Sequence, residues 1–362
     1  MLLDWASLWL YTGTIMDTPE IRLAQPELKL LAEIDEFKGK WQVLSSLAPD
    51  QLQALRKVAT IESIGSSTRI EGAKLTDREV EELLLGLQIT HLHSRDEAEV
   101  AGYAECMELV FESHAKIRVD ENHIKQLHQR LLKHVSKDAR HRGEYKKLPN
   151  HVEAFDQHGK SVGVVFETAS PFDTPQMMVD LLGWFSSESR DETMHPLLLI
   201  AVFIVHFLAI HPFQDGNGRL SRILTTLLLL QSGYGYVPYS SLERIVESNK
   251  EHYYLALRRT QQTIYTDNST IMEWLAFFLR SLRSQVATLE QKIRDEEKLT
   301  ELAPLSKDLL QLVRHRGRLT IRDAVTLTGA NRNTIKLHVR KLVSRGMLRQ
   351  EGRGKGTWYQ PA

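Results

Sequence analysis

The chain has 362 residues, of which 42% are hydrophobic and 25% charged, so it falls among globular proteins and is long enough for two or three domains. Its formal net charge is zero, yet 13 Lys and Arg residues and only 3 Asp and Glu residues lie between Pro304 and Ala362. The charge is therefore segregated between a basic tail and an acidic remainder.

The composition indicates neither a membrane span nor an oxidising compartment. The longest apolar run, residues 197–210, is shorter than the roughly 20 residues a membrane helix needs and contains His206, so we expect a buried core helix. The single cysteine, Cys106, cannot form an intramolecular disulfide, and we expect a cytoplasmic location. Met1 to Ile15 is apolar but lacks the cationic start of a secretory signal; it is either a frayed end or an over-extended start with Met16 as first residue.

Helical periodicity dominates the first 230 residues. The predicted helices are Gln51–Ile61, Thr76–Leu87, Asp96–His114, Glu121–His134, Gln176–Ser187, Pro196–Ile210 and Arg219–Gln231. The exception is Asn150 to Thr168, where β-branched residues flank the turn-forming stretch Asp156–Gly159, and this pattern predicts a small β-hairpin. The sequence therefore predicts a mainly α protein.

The last third contains a predicted boundary. A helix at Ile271–Leu282 and a charged helix at Ser284–Leu302 precede Pro304, which opens the basic tail. We therefore divide the chain into an N-terminal extension (1–49), a main domain (50–283), a linker helix (284–303) and a C-terminal domain (304–362). In the tail, three helical patterns and a glycine-tipped pair of strands follow the order of a winged helix-turn-helix: Ser306–Arg314, Thr320–Thr326, Arg332–Arg345 and Met347–Tyr359.

The loop His211-Pro-Phe-Gln-Asp-Gly-Asn-Gly-Arg-Leu-Ser-Arg222 carries groups suited to a polyphosphate. Gly216 and Gly218 allow backbone amides to converge at the start of the following helix. Asp215 is a hard oxygen ligand for Mg²⁺, and Arg219 and Arg222, three apart, share a helix face that can grip phosphates. His211 can accept the proton of an attacking hydroxyl.

At every defining position this loop resembles the signature of the Fic family: His, Pro, Phe, any residue, Asp or Glu, Gly-Asn-Gly-Arg, two residues, Arg. The resemblance extends from about Asp50 to Leu282 and implies an all-helical core with one β-hairpin flap. It also implies a protein adenylyltransferase that moves AMP from ATP to a Tyr, Thr or Ser hydroxyl and releases pyrophosphate. A homodimer is a further implication of the resemblance.

The resemblance implies a role for each loop residue. His211 would be the general base and Asp215 would hold Mg²⁺. Asn217, with the amides of Gly216 and Gly218, would contact the α- and β-phosphates, and Arg219 and Arg222 would bind the outer phosphates.

Two segments outside the loop resemble further family features. The stretch containing Tyr253 and Tyr254 would wall the adenine and ribose, with Gln261 where many members have Asn. Gly143 to Thr168 resembles the flap that aligns an extended target by strand addition, although His151 replaces the customary aromatic. Paired tyrosines on a helix also suit simple core packing.

Upstream, Ser67-Thr-Arg-Ile-Glu71-Gly72 matches the family's inhibitory motif of Ser or Thr, three residues, Glu, then Gly or Asn. Ser67 and Glu71 are four apart and face one way on a helix that would span about residues 60–72. Members with this motif on the N-terminal side hold themselves inactive. We therefore expect Glu71 to compete with ATP for Arg222; the alternative is that Glu71 only solvates its helix.

The tail suggests a second partner. Its predicted recognition helix presents Arg332, Thr334, Lys336, Arg340 and Lys341, and Arg353 and Lys355 tip the wing, a pattern suited to duplex DNA. Winged helices also serve as protein-contact modules. Two other functions stay open: a nucleotide-responsive transcription regulator, and a Fic enzyme that removes AMP with Glu71 positioning a water, or that uses another nucleotide or phosphate donor.

Overall fold

In a computed structural model of the chain, the described residues are 21–44, 49–86, 92–150, 152–155, 161–264, 266, 271–300, 302–352 and 354–362. The predictions for Met1–Ile15, His151, the turn Asp156–Gly159 and Arg353 fall outside them. The fold has two compact units that divide between Leu289 and Glu290. No helix of the described residues has the length and apolar character needed to cross a membrane.

Among the described residues, the first unit is helical apart from one hairpin, which confirms the predicted mainly α fold. Its helices are α1 (Gln25–Leu44), α2 (Pro49–Ile70), α3 (Asp77–Gly86), α4 (Arg95–Ser113), α5 (Glu121–Leu131), α6 (Thr174–Asp191), α7 (Pro196–Ile210), α8 (Asn217–Gln231), α9 (Leu242–Ser248), α10 (Lys250–Gln261) and α11 (Ile271–Thr300). The hairpin pairs β1 (Val152–Phe155) antiparallel to β2 (Ser161–Phe166).

Helix α7 forms the centre of this unit. Pro196 opens it after the His195 cap, and every residue from Leu197 to Ile210 is buried. Helices α6, α8 and α10 pack around it. The apolar run therefore forms a core helix, as predicted. The C-terminal end of this helix leads directly into the loop at His211.

Several helices differ from the sequence-based elements. Helix α1 was not predicted; Leu31, Ile34, Phe37 and Trp41, three or four residues apart, form its buried face. Helix α2 joins the predicted helix Gln51–Ile61 and the predicted inhibitory helix of about residues 60–72 into one helix that ends at Ile70. The helices predicted on either side of Arg283 are one continuous helix, α11.

The second unit begins inside α11 and has its own apolar core. It contains α12 (Pro304–Arg316), α13 (Ile321–Thr328), α14 (Arg332–Ser344), β3 (Leu348–Glu351) and β4 (Trp358–Pro361). Strands β3 and β4 are antiparallel, and Leu319, before α13, bridges to Tyr359 of β4. The division at Leu289 precedes the predicted boundary at Pro304.

Candidate active site

His211 lies where α7 ends and the loop begins. It adopts the left-handed conformation, with φ 54°, and its N–H donates to the Phe207 carbonyl at 2.9 Å. Its Nδ1 lies 3.3 Å from the Leu208 carbonyl, which can only accept, so Nδ1 carries the proton and Nε2 has a free lone pair. Burial lowers the pKa of His211 to about 4, so the imidazole is neutral at pH 7 and can act as a base.

The loop is held by hydrogen bonds from inside it and from α5. The Asn217 side chain accepts from the Phe213 N–H at 2.9 Å and donates to the Phe213 carbonyl at 2.7 Å. Phe213 stacks on His128, with ring centroids 3.8 Å apart. His128 accepts from the Gly143 N–H at Nδ1, so its Nε2–H donates to the Asp215 carbonyl, each at 2.9 Å. The resemblance assigns Asn217 to phosphate contacts. In the structure, the side-chain amide of Asn217 bonds to the backbone of Phe213 within the loop.

Sequence reasoning missed His128 as a loop-positioning residue. The only signal was a histidine on the otherwise apolar face of α5, in line with Ile124, Leu127 and Leu131. Such a histidine is usually core packing, so the pattern alone does not distinguish it. Burial lowers its pKa to about 4, consistent with a neutral ring that accepts at one nitrogen and donates from the other.

Lys146 is a second residue that sequence reasoning missed. Its side chain is buried, with the residue 3% exposed, and Nζ donates to the Ile210 carbonyl at 3.0 Å. The same Nζ donates to Asn150 Oδ1 and Thr168 Oγ1, both at 2.9 Å. Burial lowers its pKa to about 8. Lys146 therefore ties the end of α7, next to His211, to both ends of the flap.

Asp215 lies between two arginines. Its Oδ2 accepts from Arg219 Nη2 at 3.1 Å and from Arg95 Nη2 at 3.0 Å, while Oδ1 accepts from the Gly216 N–H at 2.7 Å. Arg219 is only 2% exposed and also pairs with Glu99 at 2.9 Å. The structure thus places Arg219 in a buried pair beside the metal-ligand candidate.

Asp215 fits a Mg²⁺ site in which the phosphates of a nucleotide supply the other ligands. Among the described residues, no three His, Cys, Asp or Glu side chains converge as a metal cage. The Asp215 side chain is 38% exposed and can offer a carboxylate oxygen at the protein surface. Mg²⁺ is commonly held by one or two carboxylates together with substrate phosphates, and this site offers that minimum.

The first turn of α8 forms an anion-binding position. Gly216 precedes the helix in the left-handed conformation, with φ 80°, and the first intrahelical bond runs from Leu220 N to the Gly216 carbonyl. The amides of Asn217, Gly218 and Arg219 therefore have no intrahelical acceptor. A Cβ added at Gly218 would collide with the Glu71 carboxylate. Glu71 therefore lies against the positive end of α8, where a phosphate would bind.

Arg222 is engaged by the end of α2. Its Nη2 donates to Glu71 Oε1 at 2.7 Å and to the Ser67 carbonyl at 3.0 Å, and its Nε donates to Ser67 Oγ at 2.8 Å. Burial acts to raise the pKa of Glu71, but the charge and hydrogen bond of Arg222 hold that pKa below its ordinary value. Glu71 and Arg222 thus form an ion pair that leaves the buried Nη1 group of the guanidinium without a hydrogen-bond partner among the described residues.

The residues predicted to wall the adenine are on α10 and are only partly brought to the loop. Tyr253 is buried against Trp274 and Phe277 and lines, with Arg222, a cavity of about 30 Å³. The Tyr254 hydroxyl lies 3.4 Å from the Ile70 carbonyl, at the end of α2. Gln261 is buried at the other end of α10, and no hydrogen bond of the described residues joins it to the loop.

The loop lies in a segment with known relatives. Residues 118–229 match the model of the Fic/DOC family. This Fic/DOC segment contains the whole loop from His211 to Arg222, together with His128 and Lys146. Ser67, Glu71 and the α10 residues lie outside it.

The curated relatives cover more of the chain than this segment. The protein adenylyltransferase Fic of Drosophila yakuba is 30% identical over 208 residues, which is 57% of this chain and 38% of the relative. The protein of the same name from Drosophila melanogaster is 30% identical over 205 residues, 56% of this chain and 39% of the relative. The matched part is therefore about two fifths of the length of these relatives.

Solved structures share the fold. A Fic domain containing signaling protein from Bacteroides thetaiotaomicron has a TM-score of 0.59 at 24% identity, over 73% of this chain and 97% of that one. A Fic family protein from Desulfovibrio desulfuricans has a TM-score of 0.59 at 22% identity, over 96% of this chain and 98% of that one. At these identities the likeness shows the fold alone, and it agrees with the helical core described above.

Proposed function

We propose that this chain is a protein adenylyltransferase, which transfers AMP from ATP to a hydroxyl of a target protein. In this proposal, Glu71 holds the enzyme inactive. The observation that carries the proposal is the occupation of Arg222 by Glu71 and Ser67. Similarity to proteins named protein adenylyltransferase Fic supports the reaction class.

The self-inhibition follows from competition for two positions. Arg222 is a cation, and the first turn of α8 presents amides that have no intrahelical acceptor; both suit phosphate oxygens. The Glu71 carboxylate pairs with Arg222 and lies against the first turn of α8. ATP can then bind only with its phosphates displaced. Because catalysis of phosphoryl-type transfer comes mainly from positioning and charge stabilisation, a displaced α-phosphorus loses most of the rate.

With Glu71 withdrawn, the loop residues have complementary roles. The target hydroxyl oxygen bonds to the α-phosphorus as the bond between the α-phosphorus and the bridging oxygen breaks, and pyrophosphate leaves. His211 Nε2, the free lone pair of a neutral ring, takes the hydroxyl proton. Arg222 and the α8 amides hold the departing phosphates. Mg²⁺ bound at Asp215 would neutralise part of their charge.

The test is to incubate the Glu71→Gly protein with ATP labelled on its α-phosphate and to measure label in the chain itself and in proteins of a lysate. We expect labelling well above wild type, with auto-modification seen first. Glycine removes the carboxylate just past the end of α2, where its backbone cost of about 1 kcal/mol is tolerable. Glu62→Gln, on the same helix, removes a carboxylate without the backbone cost of glycine in a helix interior and should leave labelling at the wild-type level.

Two further variants separate the parts of the proposal. Glu71→Gly combined with His211→Ala should lose about 10²–10⁴-fold in labelling rate relative to Glu71→Gly, because the base is missing. Arg222→Ala should not imitate Glu71→Gly, since ATP loses its anchor as well. Labelling by Glu71→Gly at or below the wild-type level would refute self-inhibition. In a parallel incubation with ATP labelled on its γ-phosphate, label from the γ-phosphate without label from the α-phosphate would refute AMP transfer.

A further inference from the structure

The second unit has an exposed helix face that the proposed transfer reaction does not use. Helix α14 buries Ile335, Val339 and Leu342 in the unit's core, against α12 residues such as Leu309 and Val313. Its opposite face is exposed, including Leu337, whose exposed fraction is 53%. A single exposed leucine is common on protein surfaces, so the charges around Leu337 decide what this face can bind.

The arrangement of elements around α14 is that of a helix-turn-helix with an added hairpin. Helices α13 and α14 are joined by the three residues Gly329, Ala330 and Asn331, with Gly329 at φ 68°. Asn331 caps α14 through the Asn333 N–H at 2.8 Å. The bridge between Leu319 and Tyr359, with two hydrogen bonds of 2.8 Å, adds a third strand position to the β3–β4 pair. This order of helices and strands is the one in which the second helix of the pair enters a DNA groove.

The charges on α14 are arranged across its exposed face. Lys336 and Arg340 are four apart and lie along one edge, and Lys341 lies along the other; all three are exposed. Between the two edges lie Asn333 and Leu337. Within the part of the chain that the structure describes, none of these three cations is paired with a carboxylate.

This layout fits a groove between two phosphate backbones. A helix with side chains is about 10–12 Å across, and the major groove of B-DNA is about 12 Å wide, so cations on both edges meet a backbone on each side. The central Asn333 and Leu337 would then face base edges, where Asn pairs with adenine and apolar side chains contact the thymine methyl. An acidic peptide would need only one of the two cationic edges. The unit as a whole has 13 Lys and Arg against 3 Asp and Glu between Pro304 and Ala362.

We propose that the exposed face of α14 is a binding site for the major groove of duplex DNA, with Lys336, Arg340 and Lys341 on phosphates and Asn333 and Leu337 toward the bases. The unit is then a winged helix that carries the enzyme to DNA. The proposal stands independently of AMP transfer, because it uses no residue of the first unit.

The experiment titrates the full-length protein into a fluorescently labelled 25-base-pair duplex of mixed sequence and follows anisotropy at 50 and 200 mM salt. Each phosphate contact contributes a slope of about −0.9 to log affinity against log salt, so three contacts predict a loss of roughly 40-fold over this fourfold rise. The double variant Lys336→Gln with Arg340→Gln should lower affinity at least tenfold at 50 mM salt and reduce the slope by about 2.

The matched control removes the same charge from α12. Arg314→Gln with Arg316→Gln, both exposed on a helix that packs on the buried side of α14, should change affinity less than threefold. Lys341→Gln supplies an independent loss on the other edge. Absence of duplex binding at 50 mM salt, an equal loss in the α12 control, or preference for single-stranded DNA of the same sequence would overturn the proposal. The unit would then be a protein-contact module or a general polyanion binder.

Discussion

Asp215 has both carboxylate oxygens engaged before any metal arrives. Arg219 is buried and fixed by Glu99, but the Arg95 side chain is 47% exposed and is held by an i,i+4 pair with the same Glu99 at 2.7 Å. Of the two arginines on Asp215, only Arg95 can swing into solvent. Arg95 therefore behaves as a removable counter-ion at the metal-ligand candidate.

Arg95→Gln should lower the Mg²⁺ concentration needed to tighten nucleotide binding, because one cation no longer competes at Asp215. Exposed ion pairs contribute about 0.2–1 kcal/mol, so we expect a decrease in the midpoint of up to about fivefold. The measurement is the anisotropy of a fluorescent ATP analogue, titrated with Mg²⁺ in the Glu71→Gly background. Arg78→Gln removes an equivalent i,i+4 pair, with Glu82 on α3, and should not move the midpoint. An unchanged or higher midpoint for Arg95→Gln would contradict the counter-ion role.

The sequence predicted which residues meet at the site better than it predicted what each one touches. The resemblance to the family's inhibitory motif led us to expect Glu71 beside Arg222, and the two side chains are in contact. The contacts of Ser67 with Arg222 were not expected. The pairing of Arg219 with Glu99, and of Asn217 with the Phe213 backbone, depends on which side of the loop faces the core. Residue spacing carries no information on that packing. Lys146 and His128 were missed for the same reason, since a lone cation or histidine has no periodic signal.

At the scale of helices, the end of α2 is clamped by two neighbours. Arg69 donates to Glu247 of α9 at 2.6 and 3.0 Å. The Ile70 carbonyl accepts from Lys250 of α10 at 2.7 Å. Gly72, with φ 105°, then turns the chain away from the helix. This clamp fixes the position of Glu71 over the loop, so release of α2 and release of Arg222 are coupled.

Glu247→Ala should therefore raise AMP transfer in the wild-type background, by less than Glu71→Gly, because it loosens the inhibitory helix without removing the carboxylate. In the Glu71→Gly background it should have no further effect, since it acts only through Glu71. ATP labelled on its α-phosphate measures AMP transfer in both backgrounds. Glu273→Ala breaks a comparable surface pair, with Arg259 at 3.0 Å, and should change neither background. A rise of equal size in both backgrounds would show that Glu247 acts on something other than self-inhibition.

Predicted and observed helix boundaries agree where an apolar pattern is bounded by residues that begin or end a helix. Helix α7 agrees with its prediction at both ends because Pro196 opens it and His211 begins the loop. Helix α2 continues without a break into the predicted inhibitory helix because Ser66, Ser67 and Thr68, poor helix formers, are buried against neighbouring helices. Helix α1 has its four buried apolar residues at helical spacing, but they are recognisable as a core face only with the surface they cover. Tertiary contacts decided these two cases.

At the scale of the whole molecule, the first unit keeps three buried histidines neutral. Burial lowers the pKa of His128, His206 and His211 to about 4 each, against about 6.5 in an unfolded chain. As the pH falls through this interval, the unfolded state takes up protons that the folded state does not. The unfolding free energy must therefore fall, by about 1.4 kcal/mol per pH unit for each histidine inside the interval.

The expected result is a loss of stability that begins as the pH falls toward about 6.5, before the carboxylates titrate. Glu71 and Asp215 have lowered pKa values, so their contribution is present above their ordinary range and is lost only at still lower pH. Urea unfolding of the full chain at pH 7.5, 6.5, 5.5 and 5.0, followed by the fluorescence of tryptophan, measures the slope. His206→Leu should reduce it by about one histidine's share, whereas His93→Leu, at an exposed position, should not change it. A free energy of unfolding that stays constant from pH 7.5 to 5.0 would mean that the folded state takes up protons as readily as the unfolded state, and burial would then not lower the pKa of these histidines.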